Sequence, residues 1–260
     1  MKNVKPHIVA IIPSRYASTR LHAKALVDLC GKPMIQHVVE QTRRAMLVDR
    51  VIVATDDERI AAVVRACGGE VAMTPAELRS GSDRIAYLAK SLTDTDIIVN
   101  VQGDEPLIAP EMIDQAVSLL IPDSTIQVGT LIRKITTAEE MTNPGVVKVV
   151  LDANGYAMYF SRSPIPHLRD GGNPDQWHTQ HLYYKHIGLY VYCRELLLKF
   201  AEWGESTLEQ IEKLEQLRIL DHGYKIKTAV TEYDSVPVDT ADDVERVKTI
   251  MLNHNLVKSP

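Results

Sequence analysis

Three cations within ten residues, Arg15, Arg20 and Lys24, follow directly on the apolar run HIVAII at 7–12, with Ser14, Ser18 and Thr19 between and around them. Guanidinium forks, a mobile ammonium and backbone N–H groups at the mouth of a strand suit the oxygens of a phosphate chain. The stretch is not a Walker loop, because GxxxxGK[ST] is absent, and no GxGxxG follows the first apolar run. The plainer alternative is a loop of solvated cations. It suits Lys2, Lys5, Arg43 and Arg44 well, and Arg15, Arg20 and Lys24 poorly.

A second constellation is VNVQGDEPLI at 99–108. An apolar run ends there in Gln102-Gly103-Asp104-Glu105-Pro106, which sets a carboxylate at the rim expected for the basic loop. Gly103 permits close approach of backbone to a ligand. A carboxylate repels a polyphosphate unless a hard cation such as Mg²⁺ bridges the two. An Asp in an ordinary turn before Pro is the competing reading, and it weakens because the basic loop converges on the same edge.

These residues need a frame to hold them. HIVAII (7–12), RVIVAT (50–55), EVAMT (70–74) and DIIVNVQ (96–102) read as short buried strands, and 33–45 and 56–67 carry helical spacing. Pro33 suits a first helical turn, and Asp56 or Asp57 an N-cap. Strand and helix in alternation predict an α/β fold with a mostly parallel sheet, whose ligands bind beyond the carboxyl ends of the strands. The second half reads differently. IQVGTLIRKI, GVVKVVLD, GYAMYFSR and YYKHIGLYVYC are longer and alternating, which predicts a mixed or antiparallel extension around 150–200 within a single domain spanning 1–260. Helical stretches follow at 207–222 and 240–253, and GGNPDQWH (171–178) reads as a flexible loop.

Charge is uneven. Residues 1–44 hold eight Lys/Arg against two acids, +6, leaving −11 for the rest of a chain whose net charge is −5. An acidic remainder argues against a general nucleic-acid binder and for a local pocket that takes a small anion. The run Ile8–Ile12 is cut off by Pro13 and Arg15, and no window approaches the ~18 apolar residues of a membrane span. Three scattered cysteines look like reduced thiols without metal-ligand spacing. A cytoplasmic protein, bound to neither membrane nor nucleic acid, is expected.

The motifs IPSRYASTRLHAK, ATDDERI, SGSDR (80–84), VNVQGDEP, YFSRSPIP (159–166), KHIGLYVY (185–192), LEQLR (214–218) and VDTADD (238–243) occur in order along the chain. Together they resemble the 3-deoxy-manno-octulosonate cytidylyltransferases, or CMP-Kdo synthetases, over residues 8–250. The resemblance implies a Rossmann-like nucleotidyltransferase sheet flanked by helices, with the extension used to form a homodimer; the alternating apolar and aromatic runs at 155–159 and 183–192 are expected to offer the exposed face for it. It implies CTP and the eight-carbon acidic sugar Kdo as substrates and Mg²⁺ as cofactor. Arg15, Ser18, Arg20 and Lys24 would hold the triphosphate, and Ser80, Gly81 and Arg84 the cytidine. Asp104 and Asp239 would ligate the metal. Gln102, Arg162, His186, Tyr190, Glu215 and Gln216 would surround the sugar, with Arg162, Lys185 and His186 as sources of positive charge. Lys24, Arg15 and Asp104 would carry the catalysis, and no covalent nucleophile is required. Without the resemblance, Tyr190 reads as core, His186 as a satisfied strand histidine and Glu215 as a solvated helix residue.

The chain departs from the family pattern at His22-Ala23, where Pro-Gly is usual. Losing that glycine is expected to remove a positive-φ conformation from the loop. Ser82 and Lys185 are smaller departures. A synthetase for the 8-amino derivative of Kdo would share every motif. A sialic-acid synthetase should diverge after residue 150, and a non-catalytic nucleotide-sugar sensor could do without Asp104 or Asp239.

Overall fold

The computed structural model describes residues 5–18, 20–78 and 80–253. They form two compact units, one drawn from the chain up to Asp114 and from Ser235 onward, the other from Gln115–Asp234.

The first unit runs β1 (Ile8–Ser14), a hairpin of β2 (Asp28–Leu29) and β3 (Lys32–Pro33), α1 (Met34–Thr42), β4 (Arg50–Thr55), α2 (Glu58–Ala66), β5 (Glu70–Met73), α3 (Gly81–Ala89), β6 (Ile97–Asn100) and α4 (Pro110–Val117). Four strands pair in the order β5-β4-β1-β6, all parallel. Ile8 through Ile12 are each fully buried. That is why the run is continuously apolar: a parallel strand covered on both faces has no solvent side to alternate toward. Asp57 is the N-cap of α2, its side chain accepting from Arg59 N, while Pro33 sits one position before α1. Cys30 and Gly31 both take positive φ (54° and 87°), the geometry of a tight two-residue hairpin turn.

The second unit holds β7 (Val128–Lys134), α5 (Ala138–Thr142), β8 (Lys148–Leu151), β9 (Tyr156–Ser161), α6 (Trp177–Gln180), β10 (Tyr184–Cys193), α7 (Arg194–Glu202), α8 (Thr207–Glu212), α9 (Gln216–Asp221) and β11 (Ile226–Val230). Its strands pair in the order β10-β7-β11-β9-β8, and β8 also pairs with β10, so the ring closes on itself. Only β7 and β11 run parallel. The mixed extension expected around 150–200 lies inside this larger unit. The helical stretch expected at 207–222 is two helices, because Lys213 takes φ 54° and ends α8. GGNPDQWH is organised rather than irregular: a 3₁₀ turn at Pro174–Gln176 leads into α6, and Trp177 is buried against Ile135, Met141 and Tyr183. The aromatic run 183–192, expected to offer an exposed apolar face, is mostly core; Tyr183, Ile187, Leu189, Tyr190, Val191 and Tyr192 are all buried. Exposed apolar side chains remain at Met158, Leu182 and Val230.

The chain ends its described part in α10 (Ala241–Asn253), which packs Val244, Val247 and Met251 on Leu29 and Met34 of the first unit. Among the described residues, no helix is long and apolar enough to cross a membrane.

Candidate active site

In the first unit the basic loop leaves β1 after the buried Ser14. Arg15 and Arg20 are exposed and Ser18 is half-buried; Thr19 lies outside the described residues. The Tyr16 hydroxyl sits 3.3 Å from His22 Nε2, and the Arg59 guanidinium lies 3.3 Å from the centre of the Tyr16 ring. The expected loss of a positive-φ residue does not occur. Ala23 itself takes φ 51°, ψ 36°, and its carbonyl accepts from Leu26 N at 2.8 Å to start a 3₁₀ turn at Lys24. A left-handed conformation costs an L-residue about 1–2 kcal/mol, so packing of the loop holds what glycine would adopt freely.

That turn aims Lys24 at two carboxylates. Its Nζ lies 2.6 Å from Asp104 Oδ2 and 2.8 Å from Asp239 Oδ1. Arg20 grips Asp239 with both guanidinium nitrogens, at 2.9 and 2.8 Å. Asp104 and Asp239 are far apart in sequence, and the backbone joins them: Val238 N donates to the Asp104 carbonyl at 2.9 Å. Asp243 secures the far side, its Oδ2 accepting from Asp239 N, Thr240 N and the Thr240 hydroxyl. Burial works to raise the Asp243 pKa, but these hydrogen bonds hold it below the usual carboxylate range.

Two motif glycines share one neighbour. A Cβ on Gly103 would stand 2.7 Å from the Pro13 carbonyl oxygen, and one on Gly81 would stand 3.3 Å from Pro13 Cγ. Gly103 therefore lets the chain after β6 approach the end of β1 closely. This packing sets the height of Asp104 and of the α3 N-terminus. Ser80 caps α3, its Oγ accepting from Asp83 N at 3.1 Å. Arg84 is buried and bonds Asp56 Oδ2 at 3.0 Å, the Thr74 hydroxyl and the Pro75 carbonyl. It fastens α3 to the chain just beyond β4 and β5. Half-buried Gln102 follows β6, its amide 3.4 Å from Asn100 Oδ1.

The second unit gathers a different set. His186 and Tyr190 lie on β10 with rings 5.1 Å apart, and Tyr192 stacks on Tyr190 at 5.8 Å. Burial pushes the His186 pKa down to about 3, so its ring is neutral. The Tyr190 hydroxyl is buried without a hydrogen-bond partner, and burial holds its pKa well above the phenol value. Glu215 is half-buried at the start of α9 and Gln216 is buried in its first turn.

The geometry shows what holds each of the expected cations. Arg162 donates to the carbonyls of Glu212, Lys213 and Pro144, at 2.7, 3.3 and 2.9 Å. It is a strut for the segment that breaks α8 from α9. Lys185 is held between Glu140 Oε1 and Asp234 Oδ1, at 2.5 and 2.7 Å. His186 carries no charge. The sequence marked these residues as polar or basic, but their partners come from distant segments that no local pattern identifies. The role of Pro13 was missed for the same reason, although glycines in both SGSDR and QGDEP signal a tightly packed edge.

A parallel sheet with a basic loop beyond β1 and carboxylates beyond β6 defines the nucleotidyltransferase class. The cytidylyltransferase family profile matches residues 9–226. The 3-deoxy-manno-octulosonate cytidylyltransferase of Geotalea uraniireducens (strain Rf4) is 56% identical over 244 residues, covering 92% of this chain and 97% of its own. That of Geobacter metallireducens (strain ATCC 53774 / DSM 7210 / GS-15) is 53% identical over 244 residues, with 92% and 96% covered. A solved CMP:2-keto-3-deoxy-manno-octonic acid synthetase complexed with CTP aligns with a TM-score of 0.88 at 39% identity, over 95% of this chain and 99% of that one. The chain belongs to the 3-deoxy-manno-octulosonate cytidylyltransferase family.

Proposed function

We propose that the protein transfers CMP from CTP to the anomeric hydroxyl of Kdo and releases pyrophosphate, making CMP-Kdo for lipopolysaccharide synthesis. One observation carries the reading: Asp104 and Asp239, 135 positions apart in sequence, meet at the ammonium of Lys24 beside a basic loop. The sugar hydroxyl attacks the α-phosphorus of CTP, a new P–O bond forms, and the bond to the β-phosphate oxygen breaks. Lys24, Arg15 and Arg20 neutralise the triphosphate, and Ser18 lends a hydroxyl. Preorganised charge of this kind, aimed at oxygens that gain charge, is the main resource of such reactions. Ser80, Gly81 and Arg84 hold the cytidine, with Arg84 acting through the position of α3.

Among the described residues, no group of three or more His, Cys, Asp or Glu could cage a metal. The pair Asp104 and Asp239 fits Mg²⁺, which is commonly held by one or two carboxylates with substrate phosphates and water completing the shell. Bound there, Mg²⁺ would neutralise phosphate charge and acidify the attacking hydroxyl. Lys24 and Arg20, which balance the two carboxylates in the free protein, would then be available to the phosphates. In the second unit, Tyr190, His186 and Gln216 offer neutral hydrogen-bonding groups to the sugar, Glu215 accepts from its hydroxyls, and Arg162 shapes the segment that leads to them. Gln102, in the first unit, offers an amide just beyond β6. A cytoplasmic homodimer completes the reading; the three free thiols suit the compartment, and exposed Met158, Leu182 and Val230 suit the contact.

The test is pyrophosphate release by the purified chain with CTP, Mg²⁺ and, in parallel, Kdo, 8-amino-Kdo and sialic acid. The highest kcat/KM is expected for Kdo. Release with sialic acid alone, or with none of the three, overturns the reading.

A further inference from the structure

The β10 strand does not run regularly past β7. Ile187 pairs with Leu131 and Tyr190 with Thr130, so Gly188 and Leu189 are inserted between consecutive ladder steps. Such a bulge re-aims side chains and takes carbonyls out of the ladder, and buried carbonyls need a donor. Thr130, itself fully buried, sits under the bulge. Its Oγ1 lies 2.7 Å from the Leu189 carbonyl, 3.1 Å from the Ile187 carbonyl and 3.0 Å from His186 Nε2.

A threonine hydroxyl has one proton, and a carbonyl has none to give. The proton of Thr130 therefore goes to the carbonyls, and the remaining contact requires His186 Nε2 to be the donor. The tautomer of a histidine is set by the bond its other nitrogen makes. Here the Nε2–H form leaves Nδ1 with its lone pair, and among the described residues no protein group bonds Nδ1. The Tyr190 hydroxyl, also without a partner, belongs to the ring next to it.

We propose that Thr130 is a positioning residue that locks His186 as the Nε2–H tautomer, so that Nδ1 accepts a hydrogen bond from a hydroxyl of the acceptor sugar. The second clause rests on the sugar-facing role given to His186 above. The acceptor class that fits is a polyhydroxylated sugar presenting a donor hydroxyl to Nδ1 beside the tyrosine hydroxyl.

The experiment is long-range ¹H–¹⁵N correlation on the ¹⁵N-labelled full chain at neutral pH, with His186 assigned by the loss of its signals in His186→Gln. The expected pattern is a single neutral ring with Nε2 protonated. Thr130→Val should mix the tautomers and raise KM for Kdo by about three- to tenfold, the scale of one neutral hydrogen bond, with KM for CTP unchanged. Thr130→Ser should restore both. A wild-type ring protonated at Nδ1 or at both nitrogens overturns the proposal, and this measurement stands even where Thr130→Val fails to fold. A Thr130→Val spectrum identical to wild type overturns the locking step alone. Mixed tautomers with an unchanged KM for Kdo overturn the sugar contact, and with it the role of His186.

Discussion

Two ion clusters, one in each unit, hold charge in opposite ways. In the first, Lys24, Arg20, Asp104 and Asp239 pair at a rim that solvent reaches, with side chains 16–66% exposed. In the second, Arg218 and Glu209 pair with only 7% and 8% exposure. Exposed pairs contribute little to stability, while a buried charge that loses its partner is costly. The pairs at the rim of the first unit can therefore exchange partners at small cost, while Arg218 and Glu209 must stay together.

The comparison breaks most readily at the buried pair. Arg218→Ala leaves Glu209 charged and enclosed and also removes the donor to the Trp203 carbonyl. Unfolding in urea is expected to show a loss of about 3–5 kcal/mol. A loss below about 1 kcal/mol, the scale of an exposed pair, would erase the distinction between the units.

Asp104→Asn probes the other side. It keeps the shape and removes one of two negative charges from the rim. CTP-dependent pyrophosphate release is expected to fall about 10²–10³-fold, while the urea midpoint moves by no more than about 1 kcal/mol of stability. Unchanged turnover would take Asp104 out of the proposed metal site.

His186 sharpens the contrast through pH. Its folded pKa, about 3, lies below the ordinary 6.5, so between these values the unfolded chain takes up a proton that the folded chain refuses. The stability linked to neutral His186 is whole above pH 6.5 and is lost as pH falls toward 3, by up to about 1.4 kcal/mol per pH unit. Between pH 6.5 and 5 the wild type should lose about 1.6 kcal/mol more than His186→Gln. Parallel stability curves for the two proteins would mean that the ring charges freely in the folded state.

The smallest effect is expected in the basic loop. Ala23→Gly relieves a left-handed alanine and should add up to about 1 kcal/mol, with activity within twofold of wild type. A destabilised variant would show that the loop does not need φ > 0 at this position.

How much of this was legible differed between the units. RVIVAT was read as a strand at the bounds the structure gives, and Asp57 as a candidate N-cap, because parallel strands and helix starts are written in contiguous residues. The helix at 207–222 was read as one because its break depends on Lys213 in a left-handed turn pinned by Arg162, some fifty positions earlier. The exposed aromatic face was misread because alternation marks a half-buried strand only where one face meets solvent, and consecutive residues Leu189 to Tyr192 of β10 are all covered.

By itself the sequence determined the parallel sheet, the clustering of Arg15, Arg20 and Lys24 beyond β1, and the carboxylate beyond β6, since each follows from apolar runs and from what stands at their ends. It also carried the motifs that place the chain in its family. Tertiary structure alone decided which partners each ion meets. Lys24, Lys185 and Arg162 look equally available when read along the chain, and Lys24 meets Asp104 and Asp239. Lys185 is held by Glu140 and Asp234, and Arg162 by three carbonyls, because folding brought acceptors from remote segments into reach. The same holds for the proton on His186, which a hydroxyl 56 residues away directs. A side chain's type is local information, but its charge state and free valence depend on neighbours that only the folded chain supplies.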